Sequence, residues 1–526
     1  MNKRQTIKVL RRIVMGSILT LGYSACSPFR PDVADSATIK EAWDEFSNPA
    51  DSARTKVWWF HGETETTREG ITADLEAYKR AGVGGVVYYD QVHGKGEHAL
   101  PAFSVEWWEM LKFAASEAKR VGLSFEINLS NGYVAGGPWI TKALSMQRLT
   151  ASDTIIRGKQ QFAAVLPAPG DDEFWDIAVL AFPVPQNQWM TNNSQRPKVT
   201  CNLPGVSAED FFCKKSRLTT IPPQQPGKSV YINLDFETSF TARSITYRVS
   251  KRSKASTGAM NVPGAPADEF YGSSYVKQPP LGQLEVSDDG INYSKVCDLK
   301  PIYQAAASRW DQKTVSFPAV TGRYFRLNLH DWCLAGDQRP EMALGNVTLS
   351  SRARIDQWEE RAGFYSEYIL KNLTPAYTDE EIIDLKTIVD LTSKMGTDGR
   401  LEWDVPEGDW VIMRFAHEST GGPSKHGRAN LKGLECDKMS VEAVTTQWNN
   451  YAARMIDTLS AINVKPDGVI MDSHEAGAQN WTPGFEQEFL RRKGYDLFSY
   501  LPAMMGYIVG SVTETDAFLY DLRRTV

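Results

Sequence analysis

The chain has 526 residues, 42% of them hydrophobic, enough for roughly two to four domains with cores of their own. Its 58 basic and 64 acidic residues leave a net charge of −6, which excludes the basic footprint of a nucleic-acid binder or of a surface that adheres to anionic lipid. None of the six cysteines has the C-x-x-C spacing of a metal or dithiol site.

At the N-terminus Lys3, Arg4, Lys8, Arg11 and Arg12 precede an apolar run over residues 13–21. That run is too short to span a bilayer and has the length of an export-signal core. It ends in Tyr-Ser-Ala-Cys at residues 23–26, which resembles a lipobox, the motif whose cysteine takes the lipid and becomes the mature N-terminus. Tyr23 stands where such motifs usually carry Leu, and an ordinary secretory signal cleaved near Ala25 is the other reading. On either reading residues 1–26 stay out of the fold and residues 27–53 read as a tether. The expected address is the bacterial cell envelope, with the lipid on Cys26 as the membrane contact.

Residues 54–151 alternate strand and helix. Apolar strands at 55–60, 84–89 and 123–129 are separated by helical periodicity at 67–81 and 105–120, with Gly82 and Gly122 as stops. Continuous apolar strands joined by helices imply parallel pairing, and polar strand ends imply a site at the C-terminal face of a barrel. Over residues 152–351 the helical signal fades into short alternating stretches, among them 229–235, 244–249, 284–287, 314–317 and 323–329. With the Asp289-Gly290 turn and Val-Thr-Gly-Arg-Tyr-Phe-Arg-Leu at 320–327, this part resembles galactose-binding-like jelly-roll domains, some of which bind glycans and some of which only buttress a catalytic domain. Residues 352–408 read as a return segment, and 409–526 as the second part of the barrel. The latter has strands at 410–415 and 469–471 around a helix at 440–459. About five barrel strands precede Val526 where eight are expected, so the sequence reads as a truncated barrel.

The aromatic groups Trp58-Trp59-Phe60, Tyr88-Tyr89 and Trp107-Trp108 suit stacking on the C–H faces of sugars, although rings of this kind also fill cores. The sharpest chemical signal is Asp-Ser-His-Glu at 472–475, just past a buried strand. A barrel glycosidase needs a carboxylic acid to protonate the glycosidic oxygen and a carboxylate as base or nucleophile. A lone strand-end carboxyl serves equally well as a helix cap or an ion pair. The stretch 472–483, with Lys-Gly-Tyr-Asp at 493–496, resembles glycoside hydrolase family 106, the α-L-rhamnosidases. So do Trp58-Trp59-Phe60, Glu-Gly-Ile-Thr-Ala-Asp-Leu-Glu at 69–76, Gly-Gly-Pro-Trp-Ile-Thr at 136–141 and Gly-Leu-Glu-Cys-Asp-Lys-Met-Ser at 433–440.

The resemblance implies an α/β fold, a (β/α)8 TIM-type barrel interrupted by the sandwich. It also implies exo-cleavage of terminal α-L-rhamnose from oligo- or polysaccharides with inversion, and calcium at the sugar site. Glu475 is the first candidate catalytic carboxyl and Glu435 the second. Asp472, His474, Asn480, Trp481, His61 and Asp437 are candidate sugar contacts, and Asp90, His93, Glu126 and Asn128 are further strand-end residues. A barrel glycosidase of other sugar specificity and an inactive glycan-binding lipoprotein are the competing readings.

Overall fold

A computed structural model of the protein describes residues 36–92, 97–170, 173–213, 218–223, 227–250, 280–302, 310–332, 341–365, 374–473 and 477–526. Cys26, His93, His474 and Glu475 lie outside the described residues. Where the sequence suggests a polar tether, the first described element is a helix, α1 (Ser36–Ser47).

The α/β part follows. It runs β1 (Lys56–His61), α2 (Arg68–Arg80), β2 (Gly85–Asp90), α3 (Val105–Val121) and β3 (Ser124–Asn128). Both helices begin on side-chain caps, Thr67 accepting from the Gly70 amide at 3.0 Å and Ser104 from the Trp107 amide at 3.1 Å. Gly122, at φ +73°, ends α3 in the left-handed conformation that glycine tolerates best. Ile71 and Leu75 of α2 and Trp107, Leu111 and Ala118 of α3 lie at helical spacing and pack on Trp59, Tyr88, Phe125 and Ile127. Each large apolar side chain so covered contributes about 1.5–3 kcal/mol.

A two-residue strand, β4 (Gly136–Gly137), precedes three antiparallel strands: β5 (Gln147–Ile156), β6 (Gln160–Val165) and β7 (Phe174–Pro183). The sandwich comprises β8 (Lys198–Cys201), β9 (Thr219–Ile221), β10 (Val230–Val249), β11 (Gly282–Ser287), β12 (Ser294–Leu299), β13 (Gln312–Leu329) and β14 (Met342–Ser350). Its order is β12-β11-β13-β10-β14-β9, with β8 also on β10. The long pair β10 and β13 shifts register between Asp235 and Phe240 and again between Ala242 and Ser244, the bends that let one strand pair serve a folded-over sheet.

Three more strands, β15 (Val389–Asp390), β16 (Arg400–Val405) and β17 (Trp410–Ser419), return to the first antiparallel group. Here the structure departs from the sequence reading. β17 is no barrel strand: it lies antiparallel between β5 and β7 in the sheet β15-β7-β17-β5, while β16 pairs with β6. Residues 147–183 thus join 389–419 in sheets separate from the sandwich sheet: one face has a core of its own around Val179, Leu401, Trp403 and Ile412, and the other, with Leu149, Leu180, Phe182 and Phe415, shares the core of the sandwich.

After β18 (Leu434–Glu435), the expected helix forms as two, α4 (Val441–Asn450) and α5 (Ala452–Ser460), broken at Tyr451. β19 (Gly468–Ile470) then pairs parallel with β3, giving the parallel order β1-β2-β3-β19. The last helices are α6 (Phe485–Lys493) and α7 (Val512–Thr525). Read from sequence as the start of a barrel helix, α7 buries Phe518, Leu519 and Leu522 in the core that also holds the sandwich. Among the described residues no helix is long and apolar enough to cross a membrane.

Candidate active site at the rim of the parallel sheet

Alternation along β1 splits its side chains between two faces. Trp59 and His61 turn toward the helices, and Trp58 and Phe60 turn the other way, where they are 46% and 43% exposed. On that side Phe60 covers the fully buried Tyr89 at 5.3 Å between ring centroids, Tyr89 meets Tyr133 at 5.9 Å, and Tyr133 meets His426 at 5.1 Å. This aromatic wall leads to Asp472, whose Oδ2 accepts from the Tyr89 hydroxyl and from Ser473 Oγ, each at 2.8 Å. Its Oδ1 has no hydrogen-bond partner among the described residues.

The strand ends are knitted to a distant loop. Asp90 is fully buried and accepts from Arg428 Nε at 2.7 Å and from the Tyr451 hydroxyl at 3.0 Å. Arg428 in turn donates to the Leu100 carbonyl at 2.6 Å. Two glycines let this loop close on the one after β3: a side chain at Gly132 would stand 2.0 Å from the Lys425 carbonyl, and one at Gly427 would stand 2.3 Å from that of Asn131. Asn128 donates to the Ser130 and Gly132 carbonyls, both at 2.8 Å, while its Oδ1 is buried with no partner.

Two stretches singled out in the sequence, nearly 300 residues apart, meet as strands: Glu435 pairs with Gly136 and Leu434 with Gly137. The contact demands glycine, since a side chain at Gly136 would come within 2.3 Å of the Leu434 carbonyl. Glu435 is completely buried with the Lys438 ammonium against its carboxylate. Burial pulls the Lys438 pKa down to about 8. Three residues back along the same segment, the Tyr133 carbonyl accepts from the Ser473 amide at 3.2 Å. At most about 11 Å of chain therefore separates the points where Glu435 and Ser473 attach.

The other candidates occupy structural positions. Asp437 is buried and satisfied by Gln479 Nε2 at 2.6 Å, Thr482 Oγ1 at 2.5 Å and the Met439 amide at 2.9 Å. Burial raises its pKa and these bonds oppose the rise. Asn480 uses both ends of its amide, accepting from the Leu149 amide at 2.8 Å and donating to the Ala362 carbonyl at 2.9 Å. Trp481 corrects the sequence reading: it is 1% exposed and packs on Phe485 inside the core, so its ring offers no face to a sugar. His61 stacks on Tyr88 at 4.3 Å on the helix-facing side, away from the aromatic wall. Burial and the Arg428 charge lower its pKa to about 3, so the ring is neutral over the physiological range. Glu126 pairs with Lys56.

Comparison with known proteins identifies the family. The family described as alpha-L-rhamnosidase, Glyco_hydro_106, matches residues 47–526. The chain belongs to glycoside hydrolase family 106. A solved rhamnosidase from Novosphingobium sp. PP1Y is similar with a TM-score of 0.74 and 28% identity, over 92% of this chain and 44% of that one. A protein of Formosa agariphila, provisionally named a beta-glucuronidase, is 24% identical over 513 residues, which are 97% of this chain and 30% of its own length. A CBM32 module of Clostridium perfringens, solved with GalNAc-β-1,3-galactose, is matched over 29% of this chain at 18% identity and a TM-score of 0.17. The chain thus spans less than half the length of the rhamnosidase and of the Formosa protein.

Within this family 106 member, the sequence pointed to Glu435 and Asp472, which share the rim, and missed Arg428, Tyr133, Tyr451 and Gln479. Tyr89 was visible as half of an aromatic doublet at a strand end. Arg428 carried no signal, because its partner Asp90 lies 338 residues away.

Proposed function

We propose that the chain carries the acid–base rim of an exo-acting glycosidase that releases terminal α-L-rhamnose with inversion, the parallel sheet being part of a (β/α)8 barrel. The observation behind this reading is the pairing of Glu435 with Gly136 beside the attachment of Ser473 to Tyr133. Glu475 falls in the chain between two anchored flanks, Ser473 on Tyr133 and Gln479 on Asp437. In this reading Glu475 gives its proton to the glycosidic oxygen as the C–O bond breaks, and the leaving alcohol departs neutral. Glu435, beside an ammonium, suits the role that works as carboxylate: it takes a proton from water as the water oxygen bonds to the anomeric carbon from the opposite face. Asp472 Oδ1 supplies an acceptor for sugar hydroxyls, and Phe60 and Tyr133 supply flat faces.

Calcium is expected from the family resemblance. Among the described residues no group of three or more His, Cys, Asp or Glu side chains converges on one point. Calcium also takes carbonyl, amide and water oxygens, and no step is routed through it.

The test uses the full chain and a rhamnosyl disaccharide, whose poor leaving group needs protonation. Rhamnose release should fall at least a hundredfold in Glu475→Gln. Release that Glu475→Gln leaves unchanged sinks the assignment. A second reading, a different sugar at the same rim, is favoured by the provisional name of the Formosa relative; turnover of a glucuronide without rhamnose release would establish it.

The same reading includes a lipid on Cys26, supported by the small residues before it and the basic and apolar segments upstream. Labelled palmitate fed to expressing bacteria should enter the wild-type chain and not Cys26→Ser. Equal labelling of both would dismiss the anchor.

A further inference from the structure

Away from the barrel rim, the outward side of the sandwich sheet gathers polar and aromatic side chains over four adjacent strands. The inward side is apolar: Ile232, Leu234, Phe325 and Leu327 are buried in the core. Their neighbours alternate outward and, with β8, enclose a cavity of about 480 Å³. That volume lies within the range of small-molecule sites, roughly 300–1,000 Å³.

The walls are rings on a rigid frame. The Arg326 guanidinium lies 3.7 Å from the Tyr293 ring centroid and 4.6 Å from that of Tyr231. Arg326 Nε donates to Glu285 at 2.6 Å, so the guanidinium is fixed as a plane between two aromatics. Tyr324 stands beneath the Asp289-Gly290 turn, where a side chain at Gly290 would touch its ring at 3.3 Å. On the floor, Asn233 sits opposite Arg326 in register and donates to Thr200 Oγ1 at 3.2 Å, leaving its own Oδ1 without a partner among the described residues.

The charges cancel internally. Arg326 pairs with Glu285 and Arg323 with Asp235 at 2.9 Å, leaving Lys198 as the remaining charged group of the lining. A site built to hold a phosphate or a polyanion would present unpaired cations. Planar walls with a floor of amide and hydroxyl groups, and little net charge, instead match a ligand with apolar C–H faces and many neutral hydroxyls.

We propose that this cavity, lined by Tyr231, Tyr293, Tyr324, Arg326, Asn233 and Thr200, binds neutral saccharide units, separately from the barrel rim. It holds a glycan to the protein and takes no part in bond cleavage.

The experiment is affinity electrophoresis of the full chain through gels containing a neutral rhamnan, a neutral galactan or polygalacturonate. At least one neutral glycan is expected to retard the wild-type chain, and to do so equally at high salt. Tyr231→Ala should weaken that retardation about tenfold. Asn233→Ala, a smaller change on a half-exposed floor position, should weaken it severalfold with an unchanged thermal midpoint, so a misfolded Tyr231→Ala cannot decide the outcome alone. Glu475→Gln should be retarded like wild type, which keeps this result independent of whether the rim hydrolyses rhamnosides. No retardation by either neutral glycan overturns the proposal. So does retardation that both cavity variants retain, or retardation by polygalacturonate alone that salt removes.

Discussion

Arg428→Met is expected to cost the fold roughly 3–5 kcal/mol, the usual penalty for leaving one member of a buried ion pair uncompensated. The change removes the guanidinium that donates to Asp90 at 2.7 Å and to the Leu100 carbonyl at 2.6 Å. Asp90 then keeps the Tyr451 hydroxyl at 3.0 Å and the Trp107 indole N–H at 3.4 Å, too little for a carboxylate with no access to water. Replacing both partners, Asp90→Asn with Arg428→Met, should restore part of the loss, because an amide is far cheaper to bury than an unpaired charge. Denaturant midpoints of the two single variants and the double variant would check this. A loss below about 1 kcal/mol in Arg428→Met would show that the pair does not bear on stability.

The same pair bears on function through geometry. Arg428 closes the loop that brings His426 to Tyr133 and Gly427 against Asn131, and the segment after Asn131 is the one that carries both Ser473 and Glu435. Weakening the loop should therefore loosen the rim.

How far the sequence revealed this architecture depended on whether the deciding contacts were local. β1, β2 and β3 were legible because each is an apolar run between helices with side-chain caps, and parallel pairing follows from that order. β17 misled for the same reason. An apolar run with a polar end describes a barrel strand and a central antiparallel strand equally well, and its partners at 147–156 and 174–183 lie more than 200 residues back. Within the site, Asp472 stood out as a carboxyl just past a strand, and Glu435 through the family-like stretch at 433–440. Trp481 was misjudged because an indole that stacks on sugar and one that fills a core look alike until burial is known. Asp437 and Asn480 belong to motifs that resemble the family's, yet they hold segments together, which composition cannot distinguish from binding.

A second large effect is expected where the return segment docks on the sandwich. Glu359, in a helical turn on β13, accepts from the Thr314 hydroxyl at 2.8 Å and its amide at 3.2 Å, and from Gln312 Nε2 at 3.3 Å. Burial nonetheless raises its pKa from the ordinary 4.5 to about 7, against the opposing pull of these bonds and of Lys313, which is itself engaged with Glu360. The sign follows from where the proton sits. Below pH 4.5 both folded and unfolded chains hold it; between 4.5 and 7 the unfolded chain releases it while the folded chain keeps it, so stability falls as pH rises; above 7 the whole cost of the buried carboxylate is present. Glu359→Gln keeps an acceptor for Thr314 and has no proton to lose. Its stability relative to wild type should climb by up to about 3 kcal/mol between acid and neutral pH and then level off. Denaturant unfolding of both proteins across that range gives the comparison, and parallel curves would mean that Glu359 titrates alike in the folded and unfolded chains.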